Sequence, residues 1–310
     1  MNTITHLTPE WEFWLMENIE RGCNSQTLVD AMVAKQFDPL FAGAIVYHYL
    51  QSAGRIDGAP VAPQAGAPAA AQRAQASGYR YEKPRIPMDQ SVIRAGDRDV
   101  RVALRMDKPV VVVFDNVLSH EECDQLIALS RSKLTRSATV DPTTGQDMVI
   151  ADRSSHGTFF RLREDDFIAR IDERLAALMH WPITHAEDMQ ILNYQPGAEY
   201  KPHYDYFPPQ DAGSNQHLST AGQRVSTLVM YLNDVEEGGE TVFPELGVAV
   251  PPRKGSAVYF EYCNSRSQVD PLTLHGGAPV RKGEKWIATK WLRERPFPHL
   301  LEQEAQRNGA

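Results

Sequence analysis

Cysteine is scarce in this chain. Cys23, Cys123 and Cys263 are the only three among 310 residues, and they stand too far apart for a C-x-x-C pair or a disulfide framework. That excludes a disulfide-stapled scaffold and suggests a reducing compartment. Long hydrophobic runs are missing too. The longest, Leu40 to Tyr47, is far short of the roughly 20 residues that span a bilayer, so no membrane partner is expected. The opening residues Met1 to Thr5 lack the basic and apolar regions of a signal peptide, which makes a soluble, cytoplasmic protein the expectation. Positive charge is in deficit as well: Lys and Arg number 32 against 40 Asp and Glu, a net charge of −8. A chain so balanced is poorly suited to neutralising phosphates, and no nucleic-acid substrate is expected.

What is present falls into three parts. Residues 1–53 read as a small helical module. Thr8-Pro9-Glu10 has the form of a helix start, with a capping hydroxyl, proline at the first helical position and an acid in the first turn. Trp11, Trp14, Leu15 and Ile19 recur at helical spacing and Gly22 ends the run. A second helix is expected through Leu28, Val29 and Met32, and a third through Phe41, Ala44, Ile45 and Tyr49. The module is acidic, with Glu10, Glu12, Glu17, Glu20, Asp30 and Asp38 against Arg21 and Lys35. Three short helices make a marginal core, so the module either packs on itself or on the main domain, or serves to dock a partner or build a homo-oligomer. Residues 54–78, dominated by Ala, Gly, Pro and Gln, bury too little to offset their ordering entropy and read as a flexible linker. Its root-mean-square span of roughly 25–30 Å would let the module move independently, leaving a chain that begins near Tyr79 self-sufficient.

Residues 79–310 form the third part. Pro109 to Phe114 reads as a buried strand, and Ser119-His120-Glu121-Glu122 as a capping box opening a helix through Cys123, Leu126, Ile127 and Leu129. Phe167 to Met179 is a second amphipathic helix. Short strands follow at 189–195, 199–205, 225–233, 240–243, 247–250, 256–262 and 284–292, with turns at Pro196-Gly197, Gly238-Gly239 and Lys282-Gly283. Helices followed by strands point to an α+β protein with a mainly β core, an antiparallel sandwich or jelly roll backed by helices.

His203-Tyr204-Asp205 sets an imidazole and a carboxylate two residues apart, on one face of an extended strand. A distant His275 could complete two histidines and one carboxylate, a set that binds Fe(II) on one side and leaves positions open for a bidentate 2-oxo acid and O2. The spacing alone is weak, because chance nearly supplies one such pair in a chain with this many His and Asp. His120-x-Glu122 is accounted for by the capping box, and His185-x-Glu187 reads as surface. Lys285 adds specificity. It shares a strand face with Ile287, Thr289 and Trp291, where an ammonium is costly unless it meets an anion such as the far carboxylate of 2-oxoglutarate. Trp286 and Trp291 read as core.

These residues resemble the catalytic domain of collagen-type prolyl 4-hydroxylases and their bacterial relatives, within the Fe(II)/2-oxoglutarate-dependent dioxygenases. The resemblance spans Pro109 to Glu294 through six ordered blocks: Leu118 to Cys123, Arg153 to Phe159, Tyr194 to Gly197 with Tyr200 to Asp205, Arg224 to Val235, Gly238 to Pro244, and His275 to Trp291. It implies a double-stranded β-helix, the distorted jelly roll, with supporting helices. It implies His203, Asp205 and His275 as iron ligands, Lys285 as the salt-bridge partner of 2-oxoglutarate, and Tyr194 and Thr241 as hydroxyl donors to the same carboxylate. Arg224 matches a position near the peptide groove, and Arg153 lies in a block that forms part of a mobile substrate loop. The implied chemistry couples oxidative decarboxylation of 2-oxoglutarate by O2 to hydroxylation of a C–H bond, with ascorbate bound as reductant. The carboxylate of Asp205 stands where related halogenases carry a small residue, so halogenation is not expected.

Several features depart from the animal collagen enzymes. No secretion signal, endoplasmic-reticulum retention tail or separate peptide-binding domain is expected, while residues 1–53 and a polar loop at 206–223 read as additions. That loop and residues 140–156 are expected to border the substrate entrance. Three readings follow: a hydroxylase of proline in a peptide or protein, a hydroxylase of a free amino acid or other small metabolite, and a non-catalytic binding protein that docks partners through residues 1–53.

Overall fold

The computed structural model describes residues 4–53 and 78–308, so the stretch read as a linker lies, apart from Gly78, outside the described residues. The first helices form where their signals stand: α1 (Pro9–Glu20), α2 (Ser25–Ala34) and α3 (Pro39–Ser52). One signal acts differently from expectation. Thr8 occupies the N-cap of α1 in extended conformation, yet its hydroxyl makes no capping bond, and the start rests on Pro9 and the acids Glu10 and Glu12. Asn24 does cap α2, its side chain accepting from the Thr27 amide at 2.8 Å.

The module packs against the main domain, one of the arrangements that its marginal core left open. Leu15, Ile19, Leu28, Met32, Phe41 and Ile45 form a core that is completed by Leu274 and Tyr204 of the following domain. Three short helices cannot close this core alone. Charge reinforces the seat. The Lys201 ammonium, nearly buried, donates to Glu12 at 2.7 Å and to the Tyr49 hydroxyl, while His48 lies 3.2 Å from Glu199. A chain beginning near Tyr79 therefore exposes Leu274 and strips Lys201 of two partners. We expect it to melt well below the full chain; equal melting temperatures would show the docking face to be dispensable.

The strands run, in chain order, β1 (Val92–Ala95), β2 (Arg98–Asp107), β3 (Val110–Asp115), β4 (Thr135–Arg136), β5 (Thr139–Val140), β6 (Asp147–Met148), β7 (His156–Phe160), β8 (Met189–Tyr194) and β9 (Tyr200–His203). They continue with β10 (Arg224–Tyr231), β11 (Glu237–Gly238), β12 (Thr241–Phe243), β13 (Val248–Val250), β14 (Ala257–Glu261), β15 (His275–Gly277), β16 (Val280–Lys282) and β17 (Lys285–Arg293). The large sheet has the order β1-β2-β3-β14-β10-β17-β8-β7-β4 and the small sheet β13-β12-β15-β9, with every pairing antiparallel. The two face each other as a jelly roll, with Phe243 of the small sheet edge-on to Phe260 of the large one at 5.2 Å. The expected strands from residue 189 onward all form, each within two residues of its expected bounds.

Behind the large sheet pack α4 (His120–Ser130) and α5 (Asp166–Leu178). The Ser119–Glu122 capping box is formed in both directions. Glu122 has a second duty. With Asp97 it holds the buried Arg174 guanidinium, both Glu122 contacts being 2.7 Å. Glu122→Ala removes the cap's return bond and one counter-ion of a buried cation, a loss of about 3–5 kcal/mol. Urea denaturation checks this, and a change under 1 kcal/mol, about the size of a surface pair, would refute it. The stretch read as a polar loop at 206–223 contains a helix, α6 (Ser214–Ala221), and the chain ends in α7 (Pro298–Asn308). No helix among the described residues is long and apolar enough to cross a membrane.

Candidate active site

The small sheet brings two distant histidines together by register. His203 on β9 and His275 on β15 are direct antiparallel partners, their ring centroids 4.5 Å apart. Asp205 follows β9 immediately, and one ligand atom from each of His203, Asp205 and His275 lies within 4.8 Å of the others. Asp205 Oδ1 is 3.5 Å from His203 Nε2, and Oδ2 is 3.5 Å from His275 Nε2.

The imidazoles are oriented from behind. His203 Nδ1 lies 2.8 Å from the Lys201 carbonyl and His275 Nδ1 lies 2.9 Å from the Thr273 carbonyl. A carbonyl only accepts, so each Nδ1 carries a hydrogen, and it is Nε2 that is left to turn a lone pair to the centre when a metal binds. Burial, reinforced by His275, pushes the His203 pKa down to about 4, so its ring is neutral near pH 7. Burial opposes ionisation of Asp205, but the two histidines outweigh it and hold the carboxyl well below its usual range. Two donors fix that carboxylate: the Thr227 hydroxyl at 2.7 Å and the Trp291 indole N–H at 3.1 Å, both to Oδ2. Two nitrogens and one carboxylate oxygen on one side, with cavity on the other, fit Fe(II).

Trp291 is thus not simply core, as its type suggests. Trp291→Phe keeps the ring and removes the N–H, and loss of such a supporting donor costs about 10–100-fold in metal affinity or activity. Anaerobic Fe(II) titration decides; unchanged affinity and rate would mean the indole does not hold Asp205.

The strand β17 lines the cavity with Lys285, Ile287, Thr289, Trp291 and Arg293, every second residue, while the intervening Lys290 faces α5 and pairs with buried Asp172 at 2.8 Å. Lys285 is 2% exposed and has no carboxylate in salt-bridge range among the described residues. Burial pushes its pKa down to about 8. Its ammonium sits over the rings of Tyr194 at 5.4 Å and Tyr231 at 5.9 Å, and Tyr194 is its direct partner on β8. Thr241 lines the same end and accepts from the Tyr231 hydroxyl at 2.8 Å, which leaves its own hydroxyl hydrogen to donate elsewhere. A buried, unpaired cation ringed by hydroxyls is a receptor for a carboxylate.

Arg224 and Arg153 line the same cavity, Arg224 held by a carboxylate and Arg153 by neutral oxygens. Arg224 makes a bidentate pair with Glu187, 2.8 Å at both nitrogens, and stacks on Trp291 at 4.1 Å. Glu187 is therefore an interior counter-ion, shared with Arg293, rather than the surface acid its position before a strand suggests. Arg153 donates to the Ala138 carbonyl at 2.8 Å and to Gln190 at 3.0 Å. Thr227, Tyr231, Glu187 and Lys201 escape sequence reasoning. The alternation Thr227, Val229, Tyr231 along β10 is the one signal that could have raised two of them.

The triad and Lys285 open into one cavity of about 770 Å³. The two entrance segments touch above it. The hairpin of β5 and β6 meets the start of α6, with the Gly213 amide donating to the Pro142 carbonyl at 2.9 Å and His217 bonded to the Gly145 carbonyl at 3.0 Å. Gly145 and Gly213 approach so closely that a Cβ on either would strike the other's backbone.

Residues 189–293, from β8 to the end of β17, match the model of the 2OG-Fe(II) oxygenase superfamily. The Arabidopsis thaliana protein named probable prolyl 4-hydroxylase 3 is 38% identical over 235 residues, covering 66% of this chain and 80% of that protein. Prolyl 4-hydroxylase 5 of the same plant is 38% identical over 209 residues, covering 61% and 70%. Among solved structures, the viral collagen prolyl hydroxylase of Paramecium Bursaria Chlorella virus-1, in a 2OG complex, is 32% identical with a TM-score of 0.47, covering 59% of this chain and 95% of that one.

Proposed function

Because this chain belongs to the prolyl 4-hydroxylase family of 2OG-Fe(II) oxygenases, and is thereby an Fe(II)- and 2-oxoglutarate-dependent dioxygenase, we propose that it hydroxylates proline within a peptide or protein. We assign the iron to His203, Asp205 and His275, and the far carboxylate of 2-oxoglutarate to Lys285 with Tyr194 and Thr241. Iron and 2-oxoglutarate supply the oxidising power: O2 is consumed, 2-oxoglutarate leaves as succinate and CO2, and a C–H bond becomes C–OH. Ascorbate is proposed as the reductant that returns oxidised iron to Fe(II).

The chain's own residues orient and exclude. Thr227 and Trp291 keep Asp205 turned to the metal position, and the two backbone carbonyls keep both imidazoles in the ligand tautomer. The stacked pair of Arg224 and Trp291 walls the substrate side, while Ile287 and Val229 keep it apolar.

One observation supports the choice of a peptide: most charged groups beside the triad already face an opposite charge, and Arg153 is held by neutral oxygens. Arg224 and Arg293 are held by Glu187, Arg153 by Ala138 and Gln190, and Lys201 by Glu12 and Asp152. A free amino acid would bring an ammonium and a carboxylate to be desolvated among side chains that mostly hold partners already, whereas an interior proline brings neither. The runner-up, a free amino acid or other small metabolite, draws support from the clasp between hairpin and α6, which narrows the entrance. Succinate release and mass spectrometry across proline-containing peptides, free proline, free lysine and free arginine separate the two. Gain of one oxygen on a peptide is the expected result; gain on a free amino acid with every peptide inert would overturn it.

A further inference from the structure

The cavity that holds the triad does not end at the jelly roll. Thr5, His6, Leu7, Thr8, Pro9 and Glu12 continue its lining, ahead of and within α1. This stretch is pinned at both ends. Ile4 forms a parallel bridge to Phe37, its amide donating to the Gln36 carbonyl at 2.8 Å and its carbonyl accepting from Asp38 at 2.9 Å, and Pro9 then opens the helix. Across the same cavity the hairpin presents Met148 and Val149, 38% and 57% exposed. Leu7 and Pro9 from the module and these two from the hairpin give this passage of the cavity the apolar share of a lining that also holds Thr5, His6 and Glu12.

The Lys201 side chain locks the passage to the metal. Its ammonium is bonded at 2.7 Å both to Glu12 of α1 and to Asp152 at the root of the hairpin segment, and its amide donates to the Asp152 carbonyl at 3.0 Å. Its carbonyl is the acceptor that orients His203. Helical module, entrance segment and ligand strand therefore meet at one residue, so the wall built by residues 5–12 holds a set position relative to the triad.

We propose that residues 5–12 are a substrate subsite: a fixed wall that takes apolar residues flanking the target proline, held in an extended peptide chain. The inference rests on the peptide reading above. An extended proline-rich segment is pre-ordered and brings alternate side chains to opposite walls, which suits a passage lined on both sides. It also gives the module a reason to be seated firmly, since a mobile wall would cost the peptide ordering entropy at each capture.

The test uses the full-length chain. Thr8 is well placed for it, because its hydroxyl makes no capping bond that a substitution would lose. Thr8→Trp and Thr5→Trp each push bulk into the passage. Succinate release is measured with a proline tripeptide and with a peptide of roughly 15 residues, about 50 Å when extended, built around the same centre. For the long peptide we expect KM to rise about tenfold with kcat at saturation within about twofold, and the tripeptide KM to stay within about twofold. Circular dichroism melting verifies folding. As a measurement independent of the variants, a long peptide carrying a photoreactive group on its flank is cross-linked to the wild-type chain, with the adduct expected between Thr5 and Glu12. Unchanged long-peptide KM in folded variants, or cross-links confined to other segments, would overturn the subsite while leaving the peptide reading intact. Wild-type inertness toward every peptide would overturn both.

Discussion

Lys285→Ala should weaken 2-oxoglutarate by about two to three and a half decades and leave Fe(II) binding close to wild type. The ammonium is 2% exposed, and among the described residues no carboxylate lies within ion-pair range of it. The pair is therefore completed only by the ligand, and breaking such a pair costs about 3–5 kcal/mol, at about 1.4 kcal/mol per decade. Because the triad is carried by β9 and β15, and Lys285 opens β17, the metal ligands keep their geometry when the lysine is truncated. Titration with 2-oxoglutarate under anaerobic conditions, with iron titrated separately, reads both quantities. A 2-oxoglutarate affinity within threefold of wild type would remove Lys285 from the site. The same burial sets a pH dependence. With the free lysine at about pKa 8, the ammonium is present below that pH and affinity is full. Above it, a proton must be taken up before the carboxylate can pair, so affinity falls by about tenfold per pH unit until the raised pKa of the complex is reached. Lys285→Arg, charged throughout, should bind less well at pH 7 for want of fit but lose the dependence between pH 8 and 9.

Such an argument is possible from sequence alone because Lys285 violates its surroundings: one lysine on a strand face otherwise given to Ile287, Thr289 and Trp291. Most of the strands after Met189 are legible for a related reason, since they are short apolar runs closed by a glycine or proline turn. The hairpin of β1 and β2 is not legible. Arg98, Asp99, Arg101 and Arg105 break its alternation, and its half-exposed burial pattern shows that pairing with β3, rather than apolar period, holds it in the sheet. β15 is hidden by its composition, His275-Gly276-Gly277, and becomes a strand only between β12 and β9. The polar octet of α6 has no apolar stripe to announce a helix. In the site, residue type misleads where function depends on one polar atom of a large apolar side chain: nothing in the sequence around Trp291 shows that its N–H meets Asp205. The seat of the helical module is hidden likewise, because Lys201 and Glu12 are 189 residues apart.

His203→Ala, His275→Ala and Asp205→Ala should each abolish turnover, the largest effect of any substitution in the chain. Loss of a donor behind a ligand already costs about 10–100-fold, so loss of the ligand itself should exceed that range. The three are not equivalent. Either histidine leaves the other imidazole and Asp205 in place, whereas Asp205→Ala also leaves the Thr227 hydroxyl without one partner, though Tyr262 lies 2.9 Å away to take it, and leaves the Trp291 N–H in the cavity wall with none among the described residues. Asp205→Ala should therefore lose iron and also shift Trp291 fluorescence, while the histidine variants lose iron with that emission unaltered. Folding is expected to survive in all three, since β9 and β15 pair through their backbones and the side chains contribute no strand hydrogen bonds. Anaerobic Fe(II) titration, succinate release and melting curves separate the outcomes. A folded variant with wild-type iron affinity and turnover would strike that residue from the triad. Loss of folding in a histidine variant would mean that the ring packing around His275, with Phe260 at 4.6 Å and Phe243 at 5.8 Å, holds the jelly roll together as well as the metal.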